Sequence, residues 1–410
     1  MDPSTATLAE GTRSRSRATL GVGGAAHFVH DGFTDGLYVL LPLWSQEFGL
    51  SLTQVGVLKT VFSGALASFQ LPVAILAERF GERALLAGGT VAIGLVFVVL
   101  GFAGGFVALA AGLLAAGLAA GCQHPLASSL VSRASAAGRR RAALGAYNFA
   151  GDLGKVAMPF ALAALAAALG WRAGVLACGL FGAFAGLGVY LALRRLKAGG
   201  APAAPAPKAG PAETGRRDLG IRERRGFALL SAIGVLDGAA RAAFLTFVPF
   251  LLIAKGAAIE TVGFALALIF AGGAAGKLGC GLLAERFGII RSVVLTELMT
   301  GAGILALLAL PLTLSLILLP LVGLALNGTS SVLYGTVGDL VDPERQSRAF
   351  GLFYTLGIGA AALAPSAFGV ASDLYGVPVT LVAVAALAFA TVPLCPPLGR
   401  ALRPSAARPA

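Results

Sequence analysis

Long apolar stretches recur along the chain and are separated by short polar ones. A helix of about 20 apolar residues crosses the hydrocarbon core of a bilayer. Twelve such stretches can be marked, at 20–44, 53–77, 84–104, 107–132, 143–167, 171–193, 227–254, 259–284, 289–310, 313–338, 348–371 and 377–396. With 57% hydrophobic and 12% charged residues in 410, the chain is predicted to be an all-α membrane protein with twelve transmembrane helices.

The lysines and arginines are concentrated on one side of the predicted membrane. When the twelve stretches cross in alternation, 25 of the 31 basic residues fall in the termini and loops of one side. The loops of the other side hold only Arg172 and Lys255. By the positive-inside rule, both termini are predicted to be cytoplasmic. Topology therefore explains the formal charge of +12, and nucleic-acid binding is not expected.

The N-terminus differs from a cleaved signal peptide, because the first apolar stretch is long and carries acids and histidines. We expect this stretch to remain as a membrane helix of a multi-pass protein of a bacterial inner membrane. The four cysteines, Cys122, Cys178, Cys280 and Cys395, lie in separate apolar stretches without paired spacing. No disulfide and no metal site are predicted, and no cofactor is expected.

A segment rich in proline, alanine and glycine divides the chain near its middle. Residues 194–226 contain APAAPAPKAGPAETGRR flanked by basic residues, which is typical of a connector between folded parts. We predict a cytoplasmic tail at 1–19, a six-helix half at 20–193, this cytoplasmic linker, a second six-helix half at 227–396 and a cytoplasmic tail at 397–410.

The two predicted halves are copies of one unit. When the sequence is displaced by 206 residues against itself, Asp31-Gly32 aligns with Asp237-Gly238. At 207 residues, the motif AERFG at 77–81 aligns with an identical motif at 284–288. Because six helices are an even number, the second copy enters the membrane from the same side as the first. The two six-helix repeats are therefore predicted to be parallel.

The loop after the second stretch carries the most specific motif of the chain. ILAERFGERALL resembles the G-x-L-A-D-R-x-G-R-R signature of the major facilitator superfamily, and GLLAERFGIIR repeats it after the eighth stretch. Glu78 and Glu285 replace the usual aspartate, and Ala74 stands where the first glycine would be. The resemblance spans nearly the whole chain. It implies a transporter that works by alternating access, with its binding site near mid-membrane between the halves.

The same resemblance implies a gate on the cytoplasmic side. In that family the acid and the arginine of this loop latch neighbouring helices and separate during the transport cycle. Transferred to the matching positions, the gate would consist of Glu78, Arg79, Arg83, Glu285 and Arg286. The alternative is that these charges only determine the topology of the loops.

The direction of transport is suggested by a second, shorter resemblance. GCQHPLASS in the fourth stretch, together with the polar first stretch, is similar to the fosmidomycin-resistance type of efflux carrier. The chain departs from two other efflux signatures, since Leu113 stands where an arginine is expected and the fifth stretch lacks a Gly-Pro pair. We expect export of a small organic molecule, with uptake as the alternative, because gradients decide the direction of a reversible carrier.

The first stretch places ionisable groups in an apolar helix, in the sequence HFVHDGFTDGLYVLLP from His27 to Pro42. On a helix His27, Asp31 and Asp35 are four residues apart and lie on roughly one face. Charges at membrane depth cost about 2.5 to 3.5 kcal/mol each and usually face an interior or a water-filled path. Since buried carboxyls and histidines can bind and release protons as their surroundings change, this helix is predicted to carry proton coupling.

Five residues are the candidates for proton coupling, and they are Asp31, Asp35, Asp152, Asp237 and His124. A structural role is the alternative for two of them, because Asp152 with Lys155 and Asp237 with Arg241 have the spacing of salt bridges along one helix. His124 beside Pro125 could equally be a satisfied histidine at a helix bend. Likewise, His27 and His30 could serve only as hydrogen-bonding partners of neighbouring helices.

The candidates for substrate contacts are polar residues within the apolar stretches, namely Arg241, Lys277, Lys155, Gln70, Tyr38, Tyr147, Asn148, Asn327 and Tyr334. In the repeat, Asp35 aligns with Arg241 and Gln70 aligns with Lys277, so the second half is the more cationic. This asymmetry predicts an anionic substrate, such as a carboxylate or a phosphonate. A drug-like substrate remains an alternative.

The sequence offers little support for other classes of protein. It contains no paired metal-ligand motif and no nucleophile arrangement that would favour an enzyme. The duplicated loop motif disfavours a channel or a receptor. The predicted partners are a small-molecule substrate, protons and the lipid bilayer. A monomer is expected, since the duplication already supplies both halves of a transport pathway.

Overall fold

The computed structural model describes residues 3–200, 221–342 and 346–402. Residues 201–220 of the predicted linker and 403–410 of the predicted C-terminal tail lie outside the described residues. Within the described part, the only β-structure is an isolated antiparallel bridge between Ile221 and Val341. The protein is otherwise built from helices and their connections.

Thirteen α-helices cover the described part of the chain. The N-terminal seven are α1 (Pro3–Phe48), α2 (Leu52–Phe80), α3 (Glu82–Leu100), α4 (Phe106–Ala120), α5 (Gln123–Ala134), α6 (Arg140–Leu169) and α7 (Trp171–Arg195). The remaining six are α8 (Arg224–Ala254), α9 (Ile259–Phe287), α10 (Ile289–Ala309), α11 (Leu312–Val337), α12 (Gln346–Thr391) and α13 (Cys395–Ala401).

These helices differ from the twelve predicted stretches at the fourth stretch. The fourth stretch is divided into α4 and α5 at Gly121 and Cys122. The last two stretches lie in α12, which consists of two helices joined at Gly376, where φ of +82° and ψ of 158° are not helical. Ten helical stretches of the described chain are long and apolar enough to cross a membrane, and one of them, 349–401, includes both of the last two predicted stretches. The polar helix α1 is not among the ten.

The chain divides into two compact units. The first unit consists mainly of residues 1–48 and 61–212, and the second mainly of residues 213–258 and 268–410. Each unit also includes a short segment from the other half of the sequence, which is 259–267 in the first unit and 49–60 in the second.

An acid of the second unit caps the start of α2. The Asp373 carboxylate accepts hydrogen bonds from the backbone N–H groups of Leu52 and Thr53, both at 2.8 Å. These N–H groups have no partner within their own helix, and the helix dipole favours a negative charge at this end. The aspartate therefore ties residues 49–60 to α12.

One close helix crossing occurs in both units at a glycine. A Cβ on Gly117 of α4 would lie 2.4 Å from the carbonyl oxygen of Phe62 on α2. A Cβ on Gly323 of α11 would lie 2.0 Å from the carbonyl oxygen of Ile269 on α9. The two glycines align at a displacement of 206 residues, and Phe62 aligns with Ile269 at 207. The duplicated unit has therefore kept the same backbone contact, which small residues allow between membrane helices.

The two basic residues predicted on the sparsely charged side each bind the end of a helix. The Arg172 guanidinium donates hydrogen bonds to the carbonyl groups of Gly101 at 3.1 Å and Ala103 at 2.9 Å, just beyond α3. The Lys255 ammonium donates to the carbonyl group of Leu308 at 3.4 Å, near the end of α10. Because helix C-termini have unsatisfied carbonyl groups and a partial negative charge, both cations have a structural reason to lie there.

The glycine crossing of the second unit can be tested by adding one methyl group. We expect Gly323→Ala to lower the unfolding temperature of the purified protein in detergent, because α9 and α11 would have to separate. Gly279→Ala on α9 is the control, since no atom lies within 4 Å of its added methyl group. The control should be neutral or stabilising by up to about 1 kcal/mol, the usual difference between alanine and glycine in a helix. Equal unfolding temperatures for the two variants would contradict the proposed contact.

Candidate functional site

Two glycines of α6 allow α1 and α6 of the first unit to approach closely. A Cβ on Gly154 would lie 2.1 Å from the carbonyl oxygen of Phe28, and one on Gly151 would lie 2.5 Å from the Nε2 atom of His27. A larger residue at Gly154 would push the helices apart because it would meet the backbone of Phe28, whereas at Gly151 the imidazole of His27 would have to move. The close approach places Lys155, which follows Gly154 directly, beside the acidic face of α1.

Lys155 forms ion pairs with both acids of α1. Its Nζ atom lies 3.3 Å from Oδ2 of Asp31 and 3.8 Å from Oδ2 of Asp35. The two aspartates are 6% and 7% exposed, and the lysine side chain is 28% exposed. Asp152, one turn before Lys155 on α6, is also buried and adds to the attraction on the ammonium group. The spacing along α6 suggested a pair between Asp152 and Lys155, whereas the shortest contacts of this lysine are to α1.

His27 connects this ion-pair cluster to a backbone carbonyl group. Its Nδ1 atom lies 2.9 Å from the carbonyl oxygen of Tyr147, and its Nε2 atom lies 3.1 Å from Oδ2 of Asp31. A carbonyl oxygen only accepts, so Nδ1 carries a hydrogen in this contact. The contact between Nε2 and the Asp31 carboxyl group then requires one further proton, either on the imidazole or on the acid. The geometry of His27 and Asp31 therefore defines a place where a proton is held.

The two other histidines lie differently. His124 of α5 is exposed, and its Nε2 atom lies 3.7 Å from Oδ1 of Asp31. The Nε2 atom of His30 lies 2.9 Å from the hydroxyl of Thr90, which donates its own hydrogen to the Leu86 carbonyl group. The imidazole of His30 is therefore the donor to Thr90, and His30 joins α1 to α3. His30 makes the kind of contact expected of a histidine that only joins neighbouring helices. His27 and His124, in contrast, both contact the Asp31 carboxyl group.

The same residues are close enough to be considered as metal ligands. Ligand atoms of His27, Asp31 and His124 lie within 4.8 Å of one another. Two imidazoles and one carboxylate are a common ligand set for transition metals. However, the Lys155 ammonium lies 3.3 Å from the same carboxylate and would repel a metal cation there. A proton suits this charge arrangement better than a divalent ion.

A second group of predicted residues meets in the second unit. Arg241 lies one turn after Asp237 on α8, with its Nη2 atom 3.6 Å from Oδ2 of the acid. Both residues and Tyr334 line a cavity of about 60 Å³. The Tyr334 ring stacks on Tyr354 with a centroid distance of 4.6 Å. The cavity thus brings together one predicted proton-coupling residue and two predicted substrate contacts.

Sequence reasoning missed one acid of this second group. Glu297 of α10 is 1% exposed, and its carboxyl group is hydrogen-bonded to that of Asp237. The signal was present, because Glu297 interrupts the apolar ninth stretch in SVVLTELMTGAGIL. A carboxyl group at that depth calls for the same explanation as the acids of α1.

The other predicted substrate contacts are more scattered. Tyr147 is buried, and its hydroxyl accepts a hydrogen bond of 2.7 Å from the amide group of Gln123. Asn148 is exposed, and the amide group of Asn327 donates to the Gly323 carbonyl group of its own helix at 3.2 Å. Gln70, Tyr38 and Lys277 lie on α2, α1 and α9, where Tyr38 is buried and the other two are half-buried. Their part in substrate binding stays a prediction.

At the predicted gate loop, an ion pair joins Glu82 at the start of α3 to Arg133 at the end of α5. Neither residue was among the predicted gate residues. Arg83 donates its backbone N–H group to the Gly199 carbonyl group at 2.9 Å. The other four predicted gate residues, Glu78, Arg79, Glu285 and Arg286, are exposed. A gating role for these five residues stays a prediction.

Comparison with known sequences identifies the family of the chain. The sequence profile of the Major Facilitator Superfamily matches residues 24–234 and, a second time, residues 230–409. The chain therefore belongs to the Major Facilitator Superfamily and is a multi-pass membrane transporter. This finding confirms the predicted superfamily and its fold of two six-helix repeats.

Solved structures of transporters have the same fold. A bacterial homologue of the human lysosomal transporter Spinster, in an inward-facing and unoccupied conformation, is similar with a TM-score of 0.77 and 17% identity, over 96% of this chain and 99% of that one. A POT family transporter in complex with 5-aminolevulinic acid has a TM-score of 0.76 and 14% identity, over 92% of this chain and 96% of that one. At such identities the similarity concerns the fold alone.

One curated relative is similar in sequence. The probable L-galactonate transporter of Escherichia coli (strain K12) is 29% identical over 149 residues, which are 36% of this chain. The chain spans about a third of the length of this relative, since the match covers 33% of it.

The ion pairs of Lys155 predict the stability of simple variants. We expect Lys155→Met to lower the free energy of unfolding by about 3 kcal/mol, because it leaves two buried carboxylates without their cation. Adding Asp31→Asn should restore part of this loss, since only one of those two acids then remains charged. Thermal unfolding of the purified single and double variants measures both effects. An unchanged unfolding temperature for Lys155→Met, or no recovery in the double variant, would contradict the assigned pairing.

Proposed function

We propose that the protein is a proton-coupled secondary transporter of a small organic anion, working by alternating access. The proposed location is a bacterial inner membrane, with both termini cytoplasmic and one chain as the functional unit. The observation that carries the proposal is the cluster of Asp31, Asp35, His27 and Lys155, in which one cation and one imidazole lie beside two buried carboxyl groups.

The cluster suggests how a proton and an anion would be coupled. When Asp31 and Asp35 are both ionised, the ammonium group of Lys155 is engaged by both. When a proton neutralises Asp31, the attraction on Lys155 weakens, and the ammonium becomes available to an anionic substrate. By linkage, a bound anion favours protonation to the same extent. Proton and anion therefore bind together, which is the requirement of a symporter.

Uptake of the anion follows from this coupling, because protons enter the cell down their gradient. The similar L-galactonate transporter is named for a substrate with a carboxylate group, which supports the same substrate class. Arg241 and Lys277, predicted as cationic contacts in the second half, suit such a substrate as well. The sequence favoured export over uptake, and the proposal reverses that order because joint binding of proton and anion drives uptake.

Export in exchange for protons is the second candidate function. It is favoured by the motif GCQHPLASS, which resembles the fosmidomycin-resistance type of efflux carrier. His124 of this motif lies 3.7 Å from Asp31 and could receive its proton. An exchanger would bind proton and substrate in turn, whereas a symporter binds both at once.

Reconstitution distinguishes the two functions by the sign of one signal. The purified protein is placed in liposomes that contain a pH dye, and a candidate compound is added outside. A symporter then acidifies the lumen and an antiporter makes it alkaline, whichever way the protein is inserted. The compounds are L-galactonate, other sugar acids, a phosphonate and an amphipathic drug. We expect acidification with an organic acid.

Asp31→Asn tests the coupling residue itself. Asparagine binds no proton and leaves Lys155 with one acidic partner fewer, so we expect substrate-driven proton flux to be lost while exchange of labelled substrate across the liposome persists. Glu260→Gln, at an exposed acid in the first turn of α9, is the control and should behave as wild type. Substrate movement without proton flux in the wild type, together with wild-type behaviour of Asp31→Asn, would refute proton coupling at this site.

The two buried histidines of α1 give a matched pair of variants. His27→Gln should change the pH at which proton-coupled transport is half-maximal, because Nε2 of His27 lies 3.1 Å from the Asp31 carboxyl group. His30→Gln should leave that pH unchanged, because His30 contacts Thr90 rather than an acid. The measurement is the initial rate of substrate uptake into liposomes across a series of equal internal and external pH values. Equal pH profiles for the two variants would exclude a special role for His27.

A further inference from the structure

Two buried carboxyl groups of the second unit lie in direct contact. Asp237 of α8 is 5% exposed and Glu297 of α10 is 1% exposed, and their side chains are hydrogen-bonded to each other. An ionised carboxylate only accepts hydrogen bonds. A hydrogen bond between two carboxyl groups therefore requires that one of them carries a proton.

The surroundings indicate which carboxyl group holds that proton. Arg241 lies 3.6 Å from Oδ2 of Asp237 and balances a negative charge there. Glu297 lies deeper, and its Oε1 atom is buried without a hydrogen-bond partner among the described residues. Burying an unpartnered oxygen costs far less on a neutral acid than on an anion. Glu297 is therefore the neutral partner that donates its proton to Asp237.

A threonine of a third helix lies close to the glutamate. The hydroxyl of Thr329 on α11 lies beside Glu297 and donates its hydrogen to the hydroxyl of Thr296 at 2.7 Å. Three helices, α8, α10 and α11, thus supply the surroundings of one carboxyl group.

Water can reach the pair from one side. The cavity of about 60 Å³ is lined by Asp237 and Arg241, together with Ser330 and Tyr334 of α11. A cavity needs about 10 to 15 Å³ to hold one water molecule, so this space accommodates more than one. A proton can therefore pass between the Asp237 carboxyl group and water without exposing Glu297.

The repeat indicates that this pair belongs to the second unit alone. Asp237 aligns with Asp31 at a displacement of 206 residues, but Glu297 aligns with Thr90 at 207. In the first unit Thr90 contacts His30, and Asp31 contacts His27. The two units thus have an acid at the same place on their first helix, with an imidazole beside one and a second carboxyl group beside the other.

We propose that Asp237 and Glu297 form a second proton-binding site, separate from Asp31, which holds one proton between the two carboxyl groups at neutral pH. Binding converts two carboxylates and one proton from cavity water into one carboxylate hydrogen-bonded to one carboxylic acid. The use of this proton in transport rests on the proposed function, whereas its presence in the protein does not.

Infrared spectroscopy tests the site without any transport assay. The purified full-length protein at neutral pH should show the carbonyl stretching band of a protonated carboxyl group, with the small shift expected on transfer to heavy water. Glu297→Gln should remove this band, because the amide can donate to Asp237 without a proton. Asp237→Asn should instead keep the band at a changed frequency, because Glu297 stays buried and neutral while its hydrogen-bond partner becomes an amide. Glu260→Gln, at an exposed acid, should leave the band unchanged.

The stability of the variants adds a second readout. Glu297→Gln should unfold close to the wild-type temperature, whereas Glu297→Ala should unfold earlier because it leaves a cavity beside Asp237. Should Glu297→Gln fail to fold, the changed frequency of the band in Asp237→Asn still decides the assignment. A wild-type protein without the band, a band that persists in a folded Glu297→Gln variant, or a band that keeps its frequency in a folded Asp237→Asn variant would overturn the proposal. Failure of the proposed function would instead appear in the liposome assay, as substrate movement without proton flux.

Discussion

The structure of the first unit depends on the pairing of one lysine with two acids inside apolar helices. An unpaired charge in such a place is costly, and ion pairs require distances of a few ångströms. Lys155 reaches Asp31 and Asp35 because α1 and α6 approach so closely that Gly154 has no space for a side chain. The same approach seats His27 against Gly151. The close packing of α1 and α6 is therefore needed for these ion pairs, and the ion pairs in turn stabilise the packing.

The two repeats share a close helix contact but differ in the polar groups that they bury. The backbone contact at Gly117 recurs at Gly323, so the helix framework of the two units is constrained in the same way. The polar groups inside that framework differ, with imidazole and ammonium groups around Asp31 and with a guanidinium and a second carboxyl group around Asp237. A duplicated scaffold can accept such differences because each buried charge needs only a local partner.

Sequence reasoning predicted the superfamily and the helical repeats better than it predicted the partners of the charged residues. Hydropathy and the AERFG motif are local properties, and both are visible along the chain. The spacing on α6 suggested Asp152 as the partner of Lys155, while the closest contacts are to α1. Glu297 was missed because its importance comes from Asp237 on another helix. Contacts between helices depend on their rotation and separation, which spacing along one helix does not contain.

The sequence by itself determined that the chain is an all-α membrane protein of two parallel repeats, because apolar length, basic loops and internal similarity can be read residue by residue. It also determined that α1 carries ionisable groups that need an explanation. Only the tertiary structure decided that Lys155 serves Asp31 and Asp35, that His27 rather than His30 lies at an acid, and that Asp237 meets Glu297. The physical reason is that the apolar length of a segment is a property of its own residues. Hydrogen bonds and ion pairs form only between groups that lie within a few ångströms of each other.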